Sequence, residues 1–87
     1  MDKQRVKELT AKYGKNDADT GSAAVQIALL SERIRELTEH VKVHTKDHHT
    51  RRGLLLLVGK RRRLQNFLER VDLAGYRSLI QDLGLRR

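Results

Sequence analysis

Eight lysines and arginines, all four histidines and a single acid, Asp47, lie between Glu39 and Glu69. The cations are Lys42, Lys46, Arg51, Arg52 and the run Lys60-Arg61-Arg62-Arg63. Like charges this dense repel one another unless a polyanion neutralises them, and nucleic acid is the commonest such partner. A solvated basic face is the plainer alternative. Asp47 would be repelled by phosphates, so at such an interface it should accept a hydrogen bond.

A second pattern lies just upstream. Gln26, Arg33 and His40 recur every seven residues, so each falls only about 20° from the last around a helix. Ser22 and His44 fall within roughly 40° of Gln26. The five make one polar stripe, about 27 Å long from Gln26 to His44. It mixes donors and acceptors, as contacts to base edges and sugars require. Boundary residues satisfied by neighbouring helices would give the same pattern.

Other chemistry is poorly provided for. His40, His44 and His48 have a spacing that could bring two imidazoles to one metal, but no cysteine or well-placed acid completes a ligand set, so no metal is expected. Paired carboxylates, a glycine-rich phosphate loop and a nucleophile beside a base are all missing, so neither an enzyme nor a cofactor is expected. The Lys60–Arg63 run sits on a helix and must splay around it. Two of its members can reach phosphates while one lays its stem over the core.

The elements that must position these residues are helices. The chain of 87 residues has no proline, no cysteine, two tyrosines, one phenylalanine and a net charge of +8. It lacks β-branched runs, and its length predicts one domain with little core to spare. The longest apolar run, Leu54 to Val58, is far short of a membrane span. No signal-peptide core follows Met1, so a cytoplasmic location is expected, with no membrane partner.

The periodicity predicts a helix over 3–13 with Val6, Leu9 and Tyr13 on one side and Gly14 as its stop. A polar stretch over 15–22 offers several N-caps. The next helix runs from about Ala23 to Val43 on the seam Ile27, Leu30, Ile34, Leu37 and Val41. His44 to His49 form a polar turn. A third helix runs from about Thr50 to Val71, with Leu54, Leu57, Leu64, Phe67, Leu68 and Val71 inward. A short helix follows the N-cap Asp72, carrying Tyr76, Leu79, Ile80 and Leu83, and Gly84 with Leu85 looks like a glycine C-cap. The expected fold is all-α: a small four-helix domain built on a long antiparallel helical hairpin, with 1–18 as first helix and loop and 19–87 as core bundle.

The assembled residues resemble the family of the bacterial ribosomal protein numbered fifteen of the small subunit. The resemblance rests on Asp19-Thr20-Gly21-Ser22, Val25-Gln26-Ile27-Ala28-Leu29-Leu30 and the stretch His40-Val41-Lys42-Val43-His44-Thr45-Lys46-Asp47-His48-His49. It continues through Arg51-Arg52-Gly53-Leu54-Leu55, Val58-Gly59-Lys60-Arg61-Arg62-Arg63-Leu64 and Leu83-Gly84-Leu85-Arg86-Arg87. The match covers about residues 19–87, and residues 1–18 resemble the family only as a basic amphipathic helix.

The resemblance implies a structural protein that binds small-subunit ribosomal RNA directly and early in assembly. It implies one site that grips a three-way RNA junction with Thr20, Gly21, Ser22, Gln26 and Arg33, assisted by Phe67 and Arg70. It implies a second site in which His40, Asp47 and Thr50 read a minor groove at a G·U-containing stretch. The aromatic position is more often tyrosine in the family and the hydroxyl position commonly serine. Phe67 can therefore stack but not hydrogen-bond, and Thr50 keeps the oxygen. The region His44–His49 would touch large-subunit ribosomal RNA. A-form RNA suits this reading, since its wide minor groove is the one side chains can enter. Arg51, Arg52, Lys60, Arg62 and Arg63 would hold phosphates.

The partners expected are small-subunit ribosomal RNA, small-subunit proteins that join later, and large-subunit RNA, with a monomer outside the ribosome. A free-standing regulator, either a repressor of messenger RNA or a DNA-binding helical protein, is the alternative. The hairpin helices are too long for a helix-turn-helix reader. A messenger RNA imitating the junction could be a further ligand of the same surface.

Overall fold

The computed structural model describes residues 3–14 and 22–85, which form four helices in the order expected. Helix α1 spans Lys3–Tyr13, α2 Ala23–Val43, α3 His48–Val71 and α4 Leu73–Leu83. Helices α2 and α3 are the hairpin, at 21 and 24 residues, or about 30 and 36 Å. Helix α1 packs on α2, and α4 packs on α3 and α2.

Local chemistry sets the ends. Ser22 caps α2 by accepting from the Val25 N–H at 3.4 Å. Asp72 both closes α3 and caps α4, accepting from the Gly75 N–H at 3.0 Å. A Cβ on Gly75 would overlap that capping carboxylate, so the cap itself requires a glycine there. Gly84 ends α4 at φ 68°, a left-handed conformation in which glycine is unstrained. The Leu85 N–H then reaches back to the Ile80 carbonyl at 3.0 Å, and Leu85 packs against the core.

Two expectations need correction. Helix α3 begins at His48, because Asp47 is the N-cap and takes the Thr50 N–H. His48 and His49 are therefore helical, and the turn is only 44–47. Phe67 and Val71 are not inward: they are 47% and 62% exposed. Phe67 lies about 100° round the helix from buried Leu68, and Val71 falls in the last turn, where the chain leaves for α4. No ion pair joins Asp47 to Arg51 or Arg52 among the described residues. Arg51 gives it only a backbone bond, N–H to carbonyl at 3.3 Å.

The core occupies one end of the hairpin. Val25, Ile27, Ala28, Leu30 and Ile34 of α2 are buried with Leu9, Leu68, Tyr76 and Leu79. Beyond Ile34 no α2 residue is buried, and on α3 none is before Gln65. The cause is length: α1 and α4 have 11 residues each and cover only the base. Past them the hairpin continues as a two-helix arm, with Leu37, Val41, Leu54 and Leu57 half-buried along one seam. With no third layer, Leu55 and Leu56 stay 73% and 67% exposed.

Candidate nucleic-acid interface

The tip of the arm holds the only acid of the basic stretch, and the structure places it in a small network. Asp47 Oδ1 accepts from the Thr50 N–H at 3.1 Å, and Oδ2 accepts from the Thr50 hydroxyl at 2.6 Å. His40 Nε2 lies 2.9 Å from Oδ2. A carboxylate only accepts, so Nε2 must carry the proton and donate. The seven residues from His40 to Asp47 bring the end of α2 back against the start of α3. The His44 ring lies beside His40, centroids 4.5 Å apart, and the His44 backbone N–H closes α2 on the His40 carbonyl at 2.9 Å.

These bonds favour the ionised form of Asp47. Donation from the Thr50 side chain, then from its backbone, then from His40, holds the carboxyl well below the usual carboxylate range. Three donors occupy three of the roughly four acceptor positions of a carboxylate. One lone pair of Oδ1 stays open, and the Thr50 oxygen, having donated its proton, keeps its own lone pairs. The tip thus presents oxygen acceptors inside a cationic surface. That is the chemistry that recognises an amino group on a base edge.

The other candidates sit toward the base. Gln26 and the capping Ser22 are half-buried, and Arg33 is exposed with Nη1 3.9 Å from Glu36. Thr20 and Gly21 lie outside the described residues. Phe67 and Arg70 are exposed on the last two turns of α3. Antiparallel pairing sets them at the Gln26 end of the hairpin, about 20 Å of helix from His40. The structure therefore divides the candidates into a tip group (His40, His44, Asp47, Thr50) and a base group (Ser22, Gln26, Arg33, Phe67, Arg70).

Between the groups run the cations of α3. Arg51, Arg52, Lys60, Arg62 and Arg63 are exposed, as is Arg70 of the base group. Among the described residues none of them lies within ion-pair distance of a carboxylate. Arg61 is the member of the run that turns inward. Its Nη1 donates to Ser31 Oγ at 3.3 Å, and its buried Nε has no partner. Sequence reasoning anticipated that one member would pack over the core without identifying which. The helical wheel would have pointed to it, since Arg61 shares the Leu57, Leu64 and Leu68 face. The ties of α1, Arg5 to Glu32 at 3.5 Å and the Tyr13 hydroxyl to Asp82, had no local signal, joining residues far apart in the chain.

No group of described residues is arranged to hold a metal ion. No described helix is long and apolar enough to cross a membrane. What remains is a small all-α protein whose hairpin carries uncompensated cations between two clusters of polar side chains. Known proteins give this class a family. The model of the family described as Ribosomal protein S15 matches residues 6–86. Small ribosomal subunit protein uS15 of Mycolicibacterium smegmatis is 61% identical over 84 residues, covering 97% of this chain and 94% of its own. The protein of that name from Clostridium botulinum is 58% identical over 87 residues, covering 100% of both. The chain belongs to the ribosomal protein S15 family, a structural and non-enzymatic one. The match reaches back to Val6, so the likeness of the first helix, drawn above as amphipathic character alone, is closer than expected.

Proposed function

We propose that this chain is a structural constituent of the small ribosomal subunit in the cytoplasm, and that it holds small-subunit ribosomal RNA at two places on its hairpin. The base group, with Thr20 and Gly21, clamps a three-way junction. The tip group reads an adjacent minor groove, and the outer side of the turn reaches large-subunit RNA. Clamping the junction into one geometry prepares it for proteins that join later.

The observation that carries this reading is the ordered tip. A side chain that must discriminate a base gains from being fixed before binding, because less rotamer freedom is then lost. The network of His40, Asp47 and Thr50 fixes three side chains at once. The open Oδ1 lone pair suits the guanine amino group, the one donor that a minor groove offers on a base. The cations of α3 supply phosphate contacts without sequence preference.

The test replaces the contacted guanine by inosine, which lacks that amino group. Wild-type binding should weaken, and Asp47→Asn binding should weaken much less, since Asn still caps α3 but carries no charge. A double-mutant cycle over protein and RNA measures the coupling. A coupling near zero would leave Asp47 as a helix cap and remove base reading from its role.

A further inference from the structure

Glycine weakens a helix interior, because it gives up more chain freedom than alanine and packs nothing. Helix α3 holds two, Gly53 and Gly59, both well inside its ends. Neither has a positive φ, which among the described glycines belongs to Gly84 alone. A Cβ on Gly59 would touch only Arg63 Nη1, at 3.8 Å, and a Cβ on Gly53 would meet no described atom within 4 Å. The fold therefore asks for a glycine at neither position, in contrast to Gly75 under its cap. Where the chain itself has no need of a bare backbone, the physical use of one is close approach by a ligand.

Position separates the two. Gly53, Lys60 and Phe67 recur every seven residues, so they form one stripe along α3 that drifts about 20° per step. That stripe lies at least about 120° round α3 from Val58, Arg62 and Gln65, which line a cleft with Tyr76 of α4. On α2, Gln26, Arg33 and His40 lie at least about 140° round from Ser31 and Arg35, which line a cleft with Asp82 and Leu83 of α4. Both stripes thus face the side of the hairpin away from α4. Gly53 stands one turn of α3 beyond Thr50, about 4.5 Å along the axis. Gly59 lies about 120° round from Gly53, off the stripe.

An A-form minor groove is wide and shallow, and ribose 2′-hydroxyls line it. A side chain as short as that of Asp47 reaches a base edge only where the groove seats close against the helix. Any side chain at position 53 would hold it off. We propose that Gly53 is the seat of the recognised minor groove: a ribose packs directly on the α3 backbone there, at a depth that lets Asp47 Oδ1 reach the base. The inference rests on the two-site reading above and adds to it the residue that sets how deep the groove sits. Its mark is a pair of opposite signs. Filling Gly53 strengthens the fold and weakens the complex, whereas a glycine kept for the fold would move both the same way.

The experiment compares the full-length wild type with Gly53→Ala and Gly59→Ala. Thermal unfolding is followed alongside affinity for a small-subunit RNA fragment carrying the junction and the adjacent groove. The same fragment with inosine at the contacted guanine is measured in parallel. Both variants should melt about 2–8 °C above the wild type, as alanine in a helix interior predicts for a domain of this size. Gly53→Ala should bind the guanine fragment about tenfold more weakly, as an added methyl in a close contact should cause. It should also lose most of the inosine effect, because the groove no longer seats close enough to be read. Gly59→Ala should bind like the wild type. Wild-type affinity in Gly53→Ala, an equal loss in both variants, or a Gly53→Ala protein that melts below the wild type would each overturn the seat. The two readings fail separately. A wild type indifferent to inosine removes base reading by Asp47, while a loss of affinity confined to Gly53→Ala would still place RNA against that backbone.

Discussion

The outer faces of the two hairpin helices treat charge in opposite ways. On α2 the cations stand near acids three residues away: Arg33 beside Glu36, Arg35 beside Glu32 and Lys42 beside Glu39. On α3, over the 24 residues from His48 to Val71, no lysine or arginine has such a neighbour. Paired charges of the α2 kind stabilise their own helix by a few tenths of a kcal/mol each. Unpaired ones cost the fold some self-repulsion and keep their full field for a partner. The difference separates cations that serve the helix from cations that serve what it binds, and side-chain type alone does not reveal it.

The largest effect should come from the unpaired set. Replacing Arg51, Arg52 and Arg63 together by Gln should weaken RNA binding and flatten its salt dependence by up to about one unit of slope per lost phosphate contact. Thermal stability should hold or rise slightly, because no described ion pair is lost. A fall in melting temperature with an unchanged salt slope would reverse the assignment. Next in size is Arg33, the α2 cation with the loosest pairing. Arg33→Ala should cost about 1–3 kcal/mol on a three-way junction, as the loss of a charged hydrogen bond should, and much less on a plain duplex. Equal losses on both RNAs would remove the case for a clamp.

A smaller effect should appear with pH alone. Because the folded value of Asp47 is depressed, the folded state releases its proton where the unfolded chain still holds one. Its contribution to stability is therefore complete above the unfolded value of about 4 and is lost as pH falls through and below it. Melting temperatures followed from pH 6 toward pH 2 should fall more steeply for the wild type than for Asp47→Asn. Asp82, depressed by Tyr13 and Lys12, titrates in the same window in both proteins, so the difference between the curves isolates Asp47. Parallel curves would show that the tip network adds nothing to the fold. Smallest of all, Arg35→Ala should leave RNA affinity unchanged and lower stability by about 0.2–0.5 kcal/mol, the worth of a surface pair. A clear loss of affinity there would blur the line between the helices.

Most of the fold was legible because its determinants are local. The three-and-four spacing of Ile27, Leu30 and Ile34 marks a helix whatever it packs on, and Asp72, Gly84 and Leu85 mark a stop and a start by their own chemistry. Helices α1, α2 and α4 accordingly began and ended where expected. Phe67 and Val71 misled for the opposite reason. Their apolar character does not say where the covering helices run out, and coverage is a property of the assembled fold. The candidate site was legible as a set of residue types. Its division into tip and base, the inward turn of Arg61 and the three-donor grip on Asp47 depend on which helix faces which, and no spacing along one helix encodes that.

The unsupported arm has a further meaning when considered as a measuring device. Its tip stands clear of the folded base by a distance fixed by helical rise alone, and no core residue sits along the outer half to resist a change of length. Removing one heptad from each strand of the hairpin, level with one another, would bring the tip about 10 Å nearer and turn it by only some 20°. Such a shortened molecule should fold, keep both polar clusters, and fail to engage both at once on an RNA of natural length. An RNA shortened to match should restore double engagement. The hairpin would then be a ruler, its calibration held in the number of residues and hardly at all in their identities.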